Sequence, residues 1–174
     1  MKDIQVITGC MFAGKTTELL HRLKATNKQY LLVKPKVDTR DEFDNVSTHD
    51  GAFEKGIVVN NLSEIFEIIG EIKVLGIDEA QFFSKSIIKD IKYLSSKDIT
   101  IIVAGLDKDY LNHPFGYMKE IISLASSTTV LTARCNGCGN PASYSHRKNN
   151  NNMTQVLIGD SSEYEALCSD CFYK

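Results

Sequence analysis

A phosphate-binding loop constrains this chain more than any other stretch in it. Residues 9–16 read Gly9-Cys10-Met11-Phe12-Ala13-Gly14-Lys15-Thr16, which satisfies G-x-x-x-x-G-K-[ST]. The run Ile4-Gln5-Val6-Ile7 stands in front of it, and Leu19, Leu20 and Leu23 follow at helical spacing. A strand therefore enters a tight loop that opens into a helix. Gly9 and Gly14 let the backbone turn back so that successive N–H groups aim at one point, and the helix adds the positive end of its dipole there. That point suits a polyphosphate. Lys15 reaches its β and γ phosphates as a point charge, and the Thr16 hydroxyl is placed for the Mg²⁺ that accompanies a nucleoside triphosphate. Gly9, Met11, Phe12, Ala13, Gly14, Lys15, Thr16 and Thr17 are thus the candidate donor-binding residues of the loop.

The rest of the composition narrows the class. A chain of 174 residues builds one core of ordinary size with room for a small appendage. No apolar run is long enough to span a bilayer, and Met1-Lys2-Asp3 leads at once into a strand without a secretory pattern, so a cytoplasmic protein is expected. A net charge of -2 supplies no general attraction to a nucleic-acid backbone, so neither nucleic acid nor membrane is an expected partner.

Further acids and aromatics fall at the ends of apolar runs. Tyr30-Leu31-Leu32-Val33, closed by Pro35, reads as a buried strand, and Asp38-Thr39-Arg40-Asp41 follows at its C-terminal edge, where ligands bind in open α/β sheets. Arg40 there suits the bracing of a transferring phosphoryl group and Asp38 its orientation or water on the metal, while the same pair also fits a solvated loop. Ile57-Val58-Val59 reads as a strand. Asn61 with Glu64 reads as the start of a helix that buries Ile65, Phe66, Ile68, Ile69 and Ile72. Val74-Leu75-Gly76-Ile77 then ends in Asp78-Glu79: the first acid after such a strand approaches Mg²⁺, and the second is free to take a proton from an attacking hydroxyl. Ser84 is expected to cap a helix carrying Ile87, Ile88, Ile91 and Leu94. Residues 100–104 form another strand, and Phe82 and Tyr110, at neighbouring strand ends, suit either a flat base or the core. After a further helix around Ile121 and Leu124, residues 128–133 read as a last strand. Alternation of strand and helix predicts a parallel sheet with helices on both faces.

The texture changes after Arg134. Cys135-x-x-Cys138 and Cys168-x-x-Cys171 are knuckle spacings that bring four thiolates to one structural Zn²⁺, with Cys10 standing apart. Between the knuckles lies a polar segment containing Asn149-Asn150-Asn151-Asn152, too long for a turn. Residues 143–152 carry little apolar material, so this loop is expected to be open without ligand, with Arg147-Lys148 offered to trypsin.

Together these residues resemble the zinc-containing, type II thymidine kinase family over nearly the whole chain. The resemblance rests on the phosphate loop, Asp38-Thr39-Arg40, Ile77-Asp78-Glu79-Ala80-Gln81-Phe82-Phe83, Gly105-Leu106-Asp107, Pro114-Phe115-Gly116, both knuckles and Ile158-Gly159 before Tyr164. It implies a RecA-like phosphate-loop α/β domain over residues 1–134 and a zinc-binding and lasso subdomain over residues 135–174. It also implies an enzyme that moves the γ-phosphoryl group of ATP to the 5′-hydroxyl of thymidine. In its terms Glu79 is the general base, Arg40 the transition-state brace and Lys15 the third catalytic residue, with Thr16 and Asp78 on the Mg²⁺ side. The lasso would read the base through backbone near Leu157 and Gly159, and Met11, Phe82, Leu106, Tyr110, Phe115 and Tyr164 would line the thymidine pocket. ATP, Mg²⁺ and structural Zn²⁺ are the implied cofactors. A homotetramer and feedback inhibition by the triphosphate end product are implied as well.

Three positions depart from the family pattern. Cys10 replaces a common proline, which is expected to loosen the loop and expose a thiol beside the phosphates; Asp160 replaces a second small residue; and the sequence runs three residues past Cys171, so regulation through the C-terminal extension that many relatives carry is not expected. Two other functions share parts of this pattern: a nucleotide-driven nucleic-acid-binding ATPase, against which the lack of a basic stripe argues, and a kinase for another nucleoside.

Overall fold

The structure, a computed structural model, describes residues 3–37, 45–47, 53–149, 154–156, 159 and 161–174. Its main body is built from β1 (Ile4–Gly9), α1 (Lys15–Ala25), β2 (Tyr30–Pro35), an antiparallel hairpin of β3 (Asn45–Ser47) and β4 (Phe53–Lys55), β5 (Ile57–Val59), β6 (Val74–Ile77), α2 (Ser86–Ser95), β7 (Thr100–Ala104), α3 (Met118–Leu124) and β8 (Ser127–Leu131). Six strands form one sheet in the order β5-β2-β6-β7-β1-β8, and every pairing in it is parallel. This is the phosphate-loop α/β sheet that strand–helix alternation predicts.

The inner strands are apolar at nearly every position because both faces are covered, as parallel sheets require. On one face α1 sets Leu19, Leu20 and Leu23 against Ile7, Leu32, Val74 and Ile102. On the other, Ile87, Ile91 and Leu94 of α2 and Met118 and Ile121 of α3 close over Val6, Val33, Leu75, Ile77, Ile101 and Val103. Side chains of this size contribute about 1.5–3 kcal/mol each when fully buried, so the two layers supply most of what holds the sheet flat against its helices. Parallel strands also place all their C-terminal ends on one edge. Gly9, Pro35, Ile77 and Ala104 therefore deliver their following loops to the same side.

The remaining elements are small: β9 (Ala133–Arg134) pairs with β10 (Pro141–Ala142), β11 (Tyr144–Arg147) pairs with β12 (Tyr164–Leu167), and α4 (Ser169–Phe172) follows the last knuckle's first cysteine. Cys10, Cys135, Ala142, Ala166, Leu167 and Cys168 form a buried cluster that packs these ribbons against the phosphate loop.

Several local expectations change. The helix expected after Asn61 is only a 3₁₀ turn, Leu62–Ile65. Its capping box is present, with Glu64 Oε1 accepting from the Asn61 N–H at 2.8 Å. Yet β-branched isoleucines hold a helix weakly and Gly70, at φ 54°, takes the chain out of helical geometry, which leaves Ile68 59% exposed. Ser84 is not the cap of α2: that position is Lys85, and the Ser84 hydroxyl donates to Asn61 Oδ1 at 3.3 Å. The last sheet strand ends at Leu131, and Ala133 pairs instead with Ala142. Part of the segment expected to be an open loop is strand β11, and Arg147 within it is fully buried, so trypsin is offered Lys148 alone at that pair.

Candidate active site

The loop after β1 has the geometry that its glycines predict. Gly9 sits at φ 140°, where a side chain would run into the Leu131 carbonyl of the neighbouring β8. Gly14 sits at φ 83° and caps α1 in the left-handed region. The residues between them are thereby wound back over the helix N-terminus. Lys15 Nζ donates to the Cys10 carbonyl at 2.7 Å across the loop. Burial lowers the Lys15 pKa, opposed by the charges of Glu79, Cys10, Asp78 and Asp107, so this ammonium is poorly solvated and well prepared for a stronger anion.

Beside it, the Thr16 hydroxyl donates to Asp78 Oδ2 at 3.0 Å, and the Glu79 N–H donates to Asp78 Oδ1 at 3.0 Å. Asp78 is 5% exposed, and its carboxyl is pushed up to about 7, first by burial and then by the charge of Glu79. The hydrogen bonds from Thr16 and Glu79 and the charge of Lys15 pull the other way without cancelling it. A buried carboxylate short of positive charge, with a hydroxyl oxygen 3.0 Å away, is the oxygen donor set that Mg²⁺ takes, so these residues fit that ion.

Glu79 follows in the left-handed region at φ 50°, which swings its side chain away from that of Asp78. Its Oε2 accepts from Gln81 Nε2 at 2.6 Å, while Gln81 Oε1 accepts from the Leu106 N–H at 3.0 Å. A backbone N–H only donates, which fixes the orientation of the amide and makes Gln81 a bridge between the ends of β6 and β7. At the end of β7, the Thr8 hydroxyl lies 3.0 Å from both the Gly105 carbonyl and Asp107 Oδ1, tying Gly105-Leu106-Asp107 to β1.

A cleft of about 370 Å³ opens over these groups. Its phosphate end is lined by Met11, Phe12, Gly14, Lys15, Thr16 and Thr17, and Glu79 lines it too, joined to Asp78 on one side and to Gln81 on the other. The other end carries Phe82, Leu106, Tyr110, Phe115, Gly159 and Tyr164. The Phe82 and Phe115 rings meet edge to face at 5.5 Å, which gives this end an apolar wall for a flat group. The described residues predicted for donor and acceptor thus share one cavity, apart from Gly9, Ala13 and Asp78, which are not in its lining. Asp38, Arg40, Leu157 and Asp160 lie outside the described residues. The lining also includes Lys34, Lys108, Asp109, Ser145, Gln155 and Val156, which sequence reading did not single out. No local motif marks them, because they arrive from four separate parts of the chain.

The four knuckle sulfurs of Cys135, Cys138, Cys168 and Cys171 lie within 4.8 Å of one another. The Cys168 N–H donates to Cys135 Sγ at 3.2 Å and pulls that thiol down to about 6, whereas sharing protons with Cys168, Cys138 and Cys135 pushes Cys171 up to about 12. Four sulfurs so close cannot all ionise without a cation, and an all-sulfur set of four fits Zn²⁺. Cys10 takes no part. It is 4% exposed, its Sγ donates to the Ala142 carbonyl at 3.2 Å, and burial raises its pKa; the thiol expected to be exposed is covered instead.

Comparison with known proteins gives consistent matches. A family model described as thymidine kinase matches residues 2–172. The thymidine kinase of Bacteroides thetaiotaomicron is 38% identical over 174 residues, covering 98% of this chain and 87% of its own. That of Porphyromonas gingivalis is 37% identical over 175 residues, covering 99% and 85%. That of Mycoplasma mobile is 39% identical over 172 residues, covering 97% and 86%.

Proposed function

The chain belongs to the thymidine kinase family, and from that membership and the layout of the cleft we propose that it transfers the γ-phosphoryl group of ATP to the 5′-hydroxyl of thymidine, giving thymidine monophosphate and ADP. One observation carries the reading. Glu79 stands between a phosphate-binding end and an apolar aromatic end of a single cavity, with one carboxylate oxygen occupied by Gln81. The nucleoside lies against Phe82, Phe115, Tyr110 and Tyr164, which directs its 5′-hydroxyl toward Glu79. The other carboxylate oxygen accepts the hydroxyl proton as that oxygen attacks the γ-phosphorus. Lys15 and the N–H groups of the phosphate loop hold the donor, so positioning and charge stabilisation supply most of the rate.

Thr16 and Asp78 are the residues proposed to hold Mg²⁺, which neutralises charge on the donor phosphates when bound. Arg40 as a phosphoryl brace, Asp38 beside it, and Leu157 with Gly159 as backbone contacts to the base remain part of the proposal on the strength of their motifs. Cys135, Cys138, Cys168 and Cys171 are proposed to hold one structural Zn²⁺ within a zinc-binding and lasso subdomain of residues 135–174, which follows a catalytic unit of residues 1–134. Four reduced thiols belong to a reducing compartment, which supports a cytoplasmic enzyme; no helix among the described residues is long and apolar enough to cross a membrane. A homotetramer acting on small molecules, without nucleic acid, completes the reading.

The test supplies ATP and Mg²⁺ with each of the common nucleosides or with single-stranded DNA, follows ADP release and identifies the product. Thymidine monophosphate formed with a preference for thymidine is expected. ADP release that depends on single-stranded DNA, or a better acceptor than thymidine, would replace the proposal.

A further inference from the structure

The scheme above gives the buried cation Arg147 no task. Arg147 ends β11 and is 0% exposed. Burying a guanidinium costs several kcal/mol unless its donors are satisfied, so what surrounds it has to repay that cost. Nη1 donates to the Thr154 carbonyl at 2.7 Å, and Nη2 donates to the Tyr164 hydroxyl at 2.8 Å and the Gln155 carbonyl at 3.3 Å. Nε donates to the same hydroxyl at 3.2 Å, and the guanidinium carbon lies 3.8 Å from the centre of the Tyr110 ring. One planar group therefore holds three separate pieces of the acceptor wall.

The 154–156 segment has no helix or strand pairing of its own, and its residues are exposed. Arg147 grips it through two carbonyls, and Gln155 Nε2 donates to Asp109 Oδ2 at 2.8 Å on the other side. Asp109 is rigid in turn, because its Oδ1 accepts the N–H groups of Leu111 and His113, both at 2.9 Å. Gln155 and Val156 of this strap line the cleft together with Tyr110 and Tyr164.

We propose that Arg147 is a positioning residue for the acceptor nucleoside. It pins the 154–156 strap, the Tyr110 ring and the Tyr164 hydroxyl in one arrangement before substrate arrives, and it touches neither substrate nor the reacting atoms. Lysine cannot replace it, since a point ammonium neither spans two carbonyls and a hydroxyl in one plane nor stacks flat on Tyr110. The hydrogen bond from its strand to the phosphate loop is made by Ser145, which accepts from the Met11 N–H at 3.0 Å. The groups that Arg147 holds, Tyr110, Tyr164 and the strap, all belong to the acceptor end, so its loss is expected to fall first on the nucleoside.

The inference rests on the kinase reading, and the experiment separates the two. Steady-state kinetics are measured on zinc-loaded wild type, Arg147→Lys, Arg147→Gln and Gln155→Ala, with zinc content and Tm recorded for each. Both Arg147 variants are expected to raise the thymidine KM about 10- to 100-fold, with the ATP KM within about twofold. Gln155→Ala removes the strap's other anchor at an exposed residue and is expected to raise the same KM in a smaller step. A thymidine KM unchanged in Arg147→Lys, or an ATP KM that rises in parallel, would overturn the proposal. If the Arg147 variants lose zinc, Gln155→Ala decides: an unchanged thymidine KM overturns it there too. A wild type that phosphorylates no nucleoside sinks the kinase reading and this inference together, whereas an active wild type without the KM split sinks the inference alone.

Discussion

The Met11 backbone N–H donates to Ser145 Oγ at 3.0 Å, joining the phosphate loop to a strand 134 residues further along the chain. Ser145 lies opposite Ala166 in the β11–β12 pairing, and Ala166 is two residues before Cys168. A buried hydroxyl thus carries the order of the sulfur cluster to the donor site. Ser145→Ala leaves the Met11 N–H without this acceptor, a loss of about 1–3 kcal/mol. The expected result is a lower Tm by calorimetry and a raised ATP KM, with Ser145→Thr closer to wild type because it keeps the hydroxyl. An ATP KM indifferent to the alanine change would mean that the loop holds its shape without the ribbon.

Glu79→Gln should leave the site standing, because Gln81 Nε2 can donate to an amide oxygen as it does to Oε2 and the backbone remains compatible with φ 50°. What is lost is the ability to accept a proton from the nucleoside. A fall in kcat of roughly 10² to 10⁴, with ATP binding near normal, is expected. Lys15→Ala should instead weaken ATP binding as well, since that ammonium acts on the phosphates in the ground state too. Turnover by Glu79→Gln near that of wild type would remove the base assignment.

Asp78 makes stability depend on pH in an unusual direction. Its carboxyl moves from an ordinary 3.8 to about 7 in the fold, so the native state holds this proton more tightly than the unfolded chain does. That contribution is complete below about pH 4 and is lost as the pH rises through 7. Asp78→Asn abolishes it. The amide also suits the site: its oxygen keeps the Glu79 N–H, and its NH₂ group donates to a Thr16 hydroxyl turned to accept. In Mg²⁺-free buffer the variant should gain on wild type between pH 6 and 8.5, by about 1–3 kcal/mol at the upper end. Addition of Mg²⁺ with nucleotide should then stabilise wild type and not the variant. Denaturant melts at the two pH values check this, and a constant gap between the proteins would exclude a raised Asp78.

These relationships show which parts of the fold and site are written locally. The phosphate loop, the acids after β6 and the cysteine knuckles are legible because each needs particular residue types a few positions apart. Their convergence on one cleft follows from parallel strands ending on one edge. Arg147 was legible only as a cleavable basic pair in a polar stretch; its burial depends on the fold bringing Tyr110, Tyr164 and two strap carbonyls onto it, which no local residue pattern marks. Cys10 was misread for the same reason, since its cover comes from Ala142 and the small ribbons. The segment after Asn61 failed differently: helical spacing of isoleucines was present, but spacing alone does not overcome weak propensity and an early Gly70.

The cover over Cys10 makes the sulfur cluster testable by thiol chemistry. Cys10 packs with Ala142, Ala166 and Leu167 beside Cys135 and Cys168, so the ribbons that the metal would hold are the same ones that seal this thiol. Its raised pKa keeps the reactive thiolate scarce even before access is considered. The zinc-loaded enzyme should contain one Zn²⁺ per chain by elemental analysis and react slowly with thiol reagents at all five cysteines. A chelator should release the ribbons, lower Tm, and bring Cys10 into reaction together with the four ligands. Saturating ATP with Mg²⁺ should slow Cys10 relative to the other four, because the donor orders the loop that carries it. Cys10→Ala should retain the full zinc content. Rapid modification of Cys10 in the metal-loaded protein, or a Cys10→Ala variant short of zinc, would contradict a sealed bystander thiol and return this sulfur to the surface of the donor site.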